Sequence, residues 1–155
     1  MLLASSFERD SGGWQPVNLA GSVTATRVSD GTAYSGSSFL RVATTDPGGS
    51  VARDLSVRRQ IPGTSTFLSD SEVAVWAWVR TAFGGPNMNA TLAVWQLGVD
   101  PNDPATHPTT VLSVNNTWTL VSNSIDLIAG SFDLRVEFYL NTVGPALDID
   151  CVFVN

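Results

Sequence analysis

Cysteine and histidine, which supply most zinc sites and many nucleophile–base pairs, are almost missing from this chain, which has one of each. The single cysteine, Cys151, cannot form an internal disulfide, and no Cys/His set of the kind that holds zinc is present. The one histidine, His107, lies among prolines, so a Ser-His-Asp triad is not expected. Glycine-rich phosphate loops and dinucleotide fingerprints are also missing.

Glutamate is scarce as well, with only Glu8, Glu72 and Glu137 in the chain. A glycosidase needs two carboxyl groups that flank one glycosidic bond. Glu72 follows a Ser-Asp-Ser turn that we expect to be solvated, and Glu137 has no carboxylate companion on its own strand face. The sequence therefore predicts a protein that is not an enzyme.

Long hydrophobic runs and positive charge are the other features that the chain has little of. No apolar run reaches the roughly 18 residues that a membrane-spanning helix needs. The net charge of −6 argues against nucleic acid and anionic membranes as partners, although it tolerates neutral ligands and cations. The start, Met1–Ala4, is too short for a signal peptide and lacks its basic residues, and we expect a module of a longer polypeptide.

Turn formers and strand formers dominate what is present. The 155 residues include 13 Gly and 8 Pro, valine, threonine and serine are abundant, and no window shows a sustained helical period. This favours one all-β domain over residues 1–155, a β-sandwich jelly roll of two antiparallel sheets. The longest irregular loop is predicted at Gly98–Pro108. The strand candidates are Val23–Val28, Ser38–Ala43, Ser50–Val57, Val73–Arg80, Ala90–Gly98, Trp118–Ile125, Leu134–Leu140 and Ala146–Val154.

The segment Val73–Arg80 carries the most informative pattern. Strand alternation places small aliphatic residues on one face and Trp76, Trp78 and Arg80 on the other. Flat aromatic side chains beside a polar group are what a protein uses to hold a sugar ring. A strand buried on both sides, with the tryptophans covered by a loop or a second layer, explains the pattern equally well.

A second segment, Leu134–Asn141, has the same two-faced character. One of its faces is apolar, and the other carries Arg135, Glu137, Tyr139 and Asn141. If both segments lie in one sheet, their polar–aromatic faces combine into one patch. Trp95 is a second-rank candidate for that patch, because Leu97 contradicts a clean alternation in its strand.

The side chains of this patch suit a carbohydrate. Tryptophan and tyrosine stack on the apolar face of a sugar ring, while arginine, glutamate and asparagine bind its hydroxyl groups. A stacked ring that buries about 80 Å² gains on the order of 2 kcal/mol. We therefore expect roughly micromolar to millimolar affinity for a glycan. A surface ion pair between Arg135 and Glu137 is the alternative interpretation of those two residues.

The last strand candidate brings two further expectations. Alternation places Cys151 on the face shared by Leu147, Ile149 and Phe153. We therefore expect a buried, unreactive cysteine. Glu8 and Asp150 could meet if the first and last strands pair, and together they would suit a structural calcium ion. Two unrelated surface acids are an equally good explanation from chemistry alone.

Five short motifs follow one another in order along the chain. They are Ser6–Glu8 with Gly13-Trp14, Gly31–Val42, Val75–Arg80, Thr117–Val121 and Leu147–Val152. Together they resemble the carbohydrate-binding modules of the group that contains families four, nine, sixteen and twenty-two. The likeness covers nearly the whole chain and is more specific for the fold than for the ligand.

This resemblance implies a jelly roll whose concave sheet binds a glycan chain. It also implies a structural calcium ion held by Glu8 and Asp150, with help from carbonyl groups near Ser37. Many members have two acids in a row where this chain has Asp150-Cys151, and the position expected to bind the metal is retained. In the group, the tryptophan at the position of Trp78 can be a packing residue, which makes Trp76 the stronger ligand candidate.

One function and one alternative follow. The predicted function is non-catalytic binding of a β-glucan or xylan-type polysaccharide or oligosaccharide by a secreted or cell-surface accessory domain, which targets an attached catalytic domain to its substrate. The alternative is a jelly-roll adhesion or spacer domain of a surface or phage protein without sugar affinity. The expected ligand contacts are Trp76, Trp78, Arg80, Trp95, Arg135, Glu137, Tyr139 and Asn141.

Overall fold

The computed structural model describes residues 3–56, 72–127 and 133–155, and strands make up most of that part of the chain. Two short 3-10 helices, Ala20–Ser22 and Pro104–Thr106, lie between strands. The strands are β1 (Leu3–Ser5), β2 (Gln15–Pro16), β3 (Val23–Val28), β4 (Phe39–Thr44), β5 (Gly49–Ser56), β6 (Glu72–Thr81), β7 (Met88–Leu97), β8 (Thr109–Val114), β9 (Thr119–Asp126), β10 (Asp133–Leu140) and β11 (Leu147–Val154).

The strands form two antiparallel sheets. The first sheet has the order β3-β4-β11-β6-β9, and the second has the order β2-β5-β10-β7-β8. In the first sheet β1 also pairs with β11, along Val152–Val154, while β4 pairs with the earlier segment Leu147–Ile149. This two-sheet arrangement confirms the predicted β-sandwich. Among the described residues, no helix is long and apolar enough to cross a membrane.

The core lies between the sheets and follows the period-two pattern of the sequence. Val75, Ala77 and Val79 of β6 are completely buried on the inner side, as the alternation predicts. The inner face of β10 is equally buried through Leu134, Val136, Phe138 and Leu140. Trp14 closes one side of this core, with its ring centroid 5.8 Å from that of Phe138.

Most predicted strands are present within a few residues of their expected bounds, and β1, β2 and β8 were missed. The first two are short, with three and two residues, so they offer too little alternation to recognise. β8 is a six-residue edge strand that begins directly after the proline-rich loop. The last residue of the predicted strand Ser50–Val57 lies outside the described residues.

The alternation predicted for β11 is wrong beyond Asp150. A β-bulge shifts the register between Asp150 and Phe153, and Cys151 adopts a positive φ of 47°. Val152 therefore faces the core, whereas Phe153 is 40% exposed. Cys151 is buried as expected, and burial raises the pKa of its thiol to about 11.

A buried ionic cluster ties three elements of the first sheet together. Asp148 of β11 is fully buried and accepts hydrogen bonds from both Nε (2.7 Å) and Nη2 (2.9 Å) of Arg41 on β4. It also accepts a hydrogen bond of 3.1 Å from Nε of Arg80 on β6. Since Arg80 is only 6% exposed, its charge depends on this carboxylate for compensation.

We predict that Asp148→Asn destabilises the fold by about 3–5 kcal/mol, because it leaves a buried guanidinium without its counter-charge. Urea unfolding measures the change. The matched control is Asp54→Asn, which breaks the ion pair with Arg135 at a carboxylate that is 49% exposed. The control should cost only about 0–1 kcal/mol. Equal losses for the two variants would contradict the structural role given to Asp148.

Candidate functional site

The two aromatic–polar faces expected to form one patch lie on opposite sides of the sandwich. Trp76, Trp78 and Arg80 belong to β6 in the first sheet. Arg135, Glu137 and Tyr139 belong to β10 in the second sheet, and Asn141 directly follows that strand. The prediction of one shared patch is therefore wrong, because the whole core separates the two outer faces.

On the first sheet, Trp78 is covered by the protein's own loop. The ring of Tyr34 stacks on it with 3.8 Å between centroids and 13° between planes. Trp118 meets Tyr34 edge-on at 6.4 Å, and its Nε1 donates a 3.0 Å hydrogen bond to the carbonyl of Thr32. Trp78 is thus used in packing, as the family resemblance allowed.

Arg80 is also engaged within the first sheet. Beyond its bond to Asp148, its guanidinium lies 4.4 Å from the ring centroid of Trp118 and donates to Oγ1 of Thr32. A guanidinium held between a carboxylate and an aromatic ring has little freedom left to contact a ligand. Trp76 is the remaining candidate on this face, where it lies beside Phe153 and Ser122 in the sheet register.

The second sheet presents a trough on its outer face. Glu137 of β10 lies between Ala52 of β5 and Ala93 of β7, and both alanines are buried. The row continues to Gln15 of β2 and Thr109 of β8 at the two edges. Alanine side chains are short, so this row is lower than the rows of larger side chains on either side of it, and we call it the trough. Glu137 at its centre is 2% exposed and accepts a hydrogen bond from Oγ of Ser50.

One wall of the trough contains Trp95, Arg135 and Asp54, side by side on three neighbouring strands. Arg135 donates to both carboxylate oxygens of Asp54, at 2.7 and 3.0 Å. This bond lowers the pKa of Asp54 and raises that of Arg135, so both stay charged and oriented. The ring of His107 stacks on Trp95 at 4.4 Å and 11°, which fixes the indole.

The other wall contains Thr91, Tyr139 and Ser50, with the 76% exposed Val111 at the edge strand. Burial, and then the charge of Glu137, raises the pKa of the Tyr139 hydroxyl well above its usual value. The hydroxyl therefore remains a donor at neutral pH. Asn141 lies at the end of this strand and donates a 2.9 Å hydrogen bond to Oγ1 of Thr91.

The trough has the dimensions and chemistry of a site for an extended polar chain. Its two walls are separated by four residues along each strand, or about 13 Å, and it crosses five strands, or about 19 Å. Its walls offer an indole, a phenol and a guanidinium, and the carboxylate of Glu137 between them is 2% exposed. Nε1 of Trp95 is shielded from solvent and completes no hydrogen bond to a described residue. The arrangement can stack on flat apolar faces and bind several hydroxyl groups at once.

Sequence reasoning placed four trough residues correctly on one face, namely Arg135, Glu137, Tyr139 and Asn141, and Trp95 joins them. It missed His107, Asp54 and Ser50. The strand Ser50–Val57 was recognised, so its alternation could have assigned Asp54 to the outer face. No signal in the sequence could have brought His107 to Trp95, because a loop of irregular backbone makes that approach.

Glu8 and Asp150, two of the three residues expected at a metal site, both hydrogen-bond to the turn that contains the third, Ser37. Glu8 accepts hydrogen bonds from the amide and the hydroxyl of Ser37, each 2.9 Å, and one of 3.0 Å from the amide of Ser38. Asp150 accepts a 3.0 Å hydrogen bond from the amide of Ser35. Glu8 and Asp150 thus hold opposite ends of the turn Ser35–Ser38.

The electrostatics of this turn suit a cation. Hydrogen bonds from Ser37 lower the pKa of Glu8, so it is charged. Asp150 is fully buried, and this desolvation raises the pKa of its carboxyl group. None of the ion pairs between described residues includes it. Among those residues no group of three or more His, Cys, Asp or Glu could hold a metal, so main-chain carbonyls would have to complete the shell.

Comparison with known proteins gives structural matches only. No family model and no curated protein matches the chain. The CBM22-1 xylan-binding domain of Paenibacillus barcinonensis Xyn10C is 18% identical with a TM-score of 0.72, over 99% of this chain and 92% of that one. The CBM22-1–GH10 modules of Clostridium thermocellum xylanase 10B, complexed with xylohexaose, are 13% identical with a TM-score of 0.72, over 99% of this chain and 28% of that one.

A third match comes from a different setting. The enzymatically active domain of tailspike protein 4 from bacteriophage CBA120 is 12% identical with a TM-score of 0.60, over 94% of this chain and 20% of that one. At these identities the likeness shows the fold. The chain therefore has the jelly-roll fold of carbohydrate-binding modules, as the motifs led us to expect.

We predict that Tyr34→Ala destabilises the protein by about 0.5–1.5 kcal/mol more than the loss of buried apolar area alone would, because the stack on Trp78 is lost. Urea unfolding measures the loss, and near-ultraviolet circular dichroism reports the released indole. Phe83→Ala is the control, since Phe83 is 84% exposed. A loss no larger than that of the control would show that Tyr34 does not cover Trp78 in solution.

Proposed function

We propose that this domain is a non-catalytic carbohydrate-binding module that holds a neutral, extended glycan of the xylan or β-glucan type in the trough of the second sheet. The observation that carries the proposal is the floor and walls of that trough. Glu137 lies between two alanines, with Trp95 in one wall and Tyr139 in the other. Aromatic walls beside a fixed carboxylate match a chain of rings with hydroxyl groups on their rims.

The matched structures support the ligand class. One is named as a xylan-binding domain, and another is described in complex with xylohexaose. In the latter, the similar part is joined to a GH10 module within one polypeptide. By analogy, we propose a secreted or cell-surface accessory role, in which this domain keeps an attached catalytic domain close to its polysaccharide.

The residues have distinct roles in this proposal. Trp95 and Tyr139 supply apolar surface for sugar rings, and the immobilised indole loses little entropy on binding. Glu137 and Asn141 bind hydroxyl groups. Arg135 contributes the donors that its bond to Asp54 leaves free.

We further propose a structural calcium ion at the turn Ser35–Ser38, bound by Glu8 and Asp150 together with main-chain carbonyls. The buried carboxylate of Asp150 without a cationic partner supports this. The ion would fix a loop next to Tyr34 in the first sheet. It would therefore stabilise the fold and lie away from the glycan.

The alternative function is an adhesion or spacer domain without sugar affinity. The observation that favours it is the match to a phage tailspike, whose similar part is about a fifth of a longer chain. A spacer function requires only the β-sandwich fold. It does not explain why an indole and a phenol line an otherwise polar trough.

We predict that affinity electrophoresis in gels containing soluble xylan or β-glucan retards the protein. Trp95→Ala should weaken binding by at least about tenfold, because a stacked ring contributes on the order of 2 kcal/mol. Glu137→Gln should also weaken it, since the amide replaces an acceptor oxygen by a donor. Trp76→Ala is the matched control, because Trp76 lies on the opposite sheet.

The two tryptophan variants distinguish the two faces that could bind the glycan. Loss with Trp95→Ala and retention with Trp76→Ala supports the trough. The reverse result would move the glycan to the first sheet, where Trp76 was the stronger candidate from sequence. A wild-type protein that no polysaccharide retards would overturn sugar binding and favour the spacer.

We predict that calcium raises the melting temperature of the wild type and that EDTA lowers it. Free calcium at 100 times its Kd would add about 2.7 kcal/mol. In EDTA, the raised pKa of Asp150 means that the folded state holds its proton more tightly, so stability falls as pH rises through that pKa. Asp150→Asn should abolish both the calcium response and this pH dependence. Asp126→Asn, at an exposed carboxylate on β9, should keep both.

A further inference from the structure

Arg53 lies on the core-facing side of β5. Its neighbours in the alternation of β5, Val51 and Leu55, are 0% and 8% exposed, and it is opposite the buried Val136. An arginine in such a position buries its methylene stem and carries its guanidinium to the nearest edge. That edge is the turn at Gly13, on the reverse side of the second sheet from the trough.

The guanidinium has no counter-ion among the described residues. Its Nε is shielded from solvent and has no hydrogen-bond partner. The acids around it are engaged elsewhere, because Glu8 binds Ser37 and Asp10 accepts a 2.7 Å hydrogen bond from the amide of Gly12. Asp54, the next residue along the strand, points to the other face and binds Arg135. A shielded donor without an acceptor is costly unless a ligand supplies one.

At Gly13, the absence of a side chain leaves room for the guanidinium of Arg53. Gly13 has a φ of +73°, and a β-carbon there would overlap Nη1 of Arg53. Any residue with a side chain would therefore be strained and would also displace the arginine. The guanidinium of Arg53 therefore packs directly against the backbone of the turn at Gly13.

A surface cavity of about 460 Å³ opens at this place. It is lined by the segment Leu3–Asp10, by Gly12 and Gly13, and by Arg53. Ser5 and Ser6 add hydroxyl groups to the lining, and the formal charges of its side chains balance. The volume is in the range of pockets for small organic ligands and exceeds what a single simple ion needs.

We propose that this cavity binds the carboxylate of a uronic acid, with Arg53 as its anchor. The planar fork of arginine matches a carboxylate in two hydrogen bonds, and the hydroxyl-lined volume beside it fits a sugar ring. The inference extends the proposed function to glycans with acidic substituents. Gln15 ends the trough row at β2, two residues or about 7 Å along the chain from Gly13. A side group of a bound chain could therefore reach the cavity around this edge.

The test is an NMR titration of the full chain, with D-glucuronate as the probe and D-glucose as its neutral counterpart. We expect glucuronate, in the millimolar range, to shift the amide signals of Gly12 and Gly13 and the Nε–H signal of Arg53. Glucose should leave them in place. Arg53→Gln should weaken glucuronate binding by at least about tenfold, and Arg53→Lys, which keeps the charge without the fork, by several-fold. Asp126→Asn, at an exposed carboxylate on β9 of the first sheet, should leave glucuronate binding unchanged.

Several results would overturn the proposal. They are an absence of shifts, equal shifts with glucose, and shifts that persist in Arg53→Gln. Acetate that binds as tightly as glucuronate would show that only the carboxylate is recognised, whatever molecule carries it, including a peptide. That result would exclude specific recognition of a uronic acid. If Arg53→Gln unfolds, Arg53→Lys carries the comparison. Retardation by neutral xylan should be normal in Arg53→Lys, so failure here is separable from failure of the trough.

Discussion

The first sheet depends on the ion pairs that the buried carboxylate of Asp148 forms. This carboxylate binds Arg41 from one neighbouring strand and Arg80 from the other, so three strands share one charge cluster. The guanidinium of Arg80 also contacts the ring of Trp118 and donates a hydrogen bond to Oγ1 of Thr32. Burying the charges of Asp148 and Arg80 is unfavourable by itself, but once both are buried, loss of the carboxylate leaves the guanidinium of Arg80 without its counter-charge.

This cluster explains why the outer face of the first sheet is closed. With Thr32 held by Arg80 and Trp118, the chain that follows lies across the sheet, and Tyr34 reaches Trp78. The same loop continues to the turn that Glu8 and Asp150 hold. On the second sheet, the loop residue His107 stacks on Trp95, and the proposed glycan site lies on that polar–aromatic face. In the proposed function the two sheets thus have different tasks, although their strands have similar patterns.

Local pattern was enough to predict eight of the strands and the inner faces of β6 and β10, because alternation is a property of each strand alone. It could not predict which sheet each strand joins, since that depends on pairing between residues far apart in sequence, such as Glu137 with Ala52. The face of Phe153 was wrong for a different reason: one bulge residue reverses every later position. Similarly, Trp78 could be recognised as aromatic, but its cover, Tyr34, comes from a distant turn.

The charges of the two proposed sites make them complementary. In the trough, Arg135 is neutralised by Asp54, so Glu137 leaves the described residues of that surface with net negative charge. An acidic sugar would be repelled there, while hydroxyl groups can donate to the carboxylate. On the reverse side of the same sheet, Arg53 offers a guanidinium whose Nε has no acceptor among the described residues. A glycan with a neutral backbone and sparse acidic side groups would satisfy both surfaces, and a fully acidic polymer would satisfy only the second. Electrostatics would then select the pattern of substitution, while the aromatic walls select the shape of the chain.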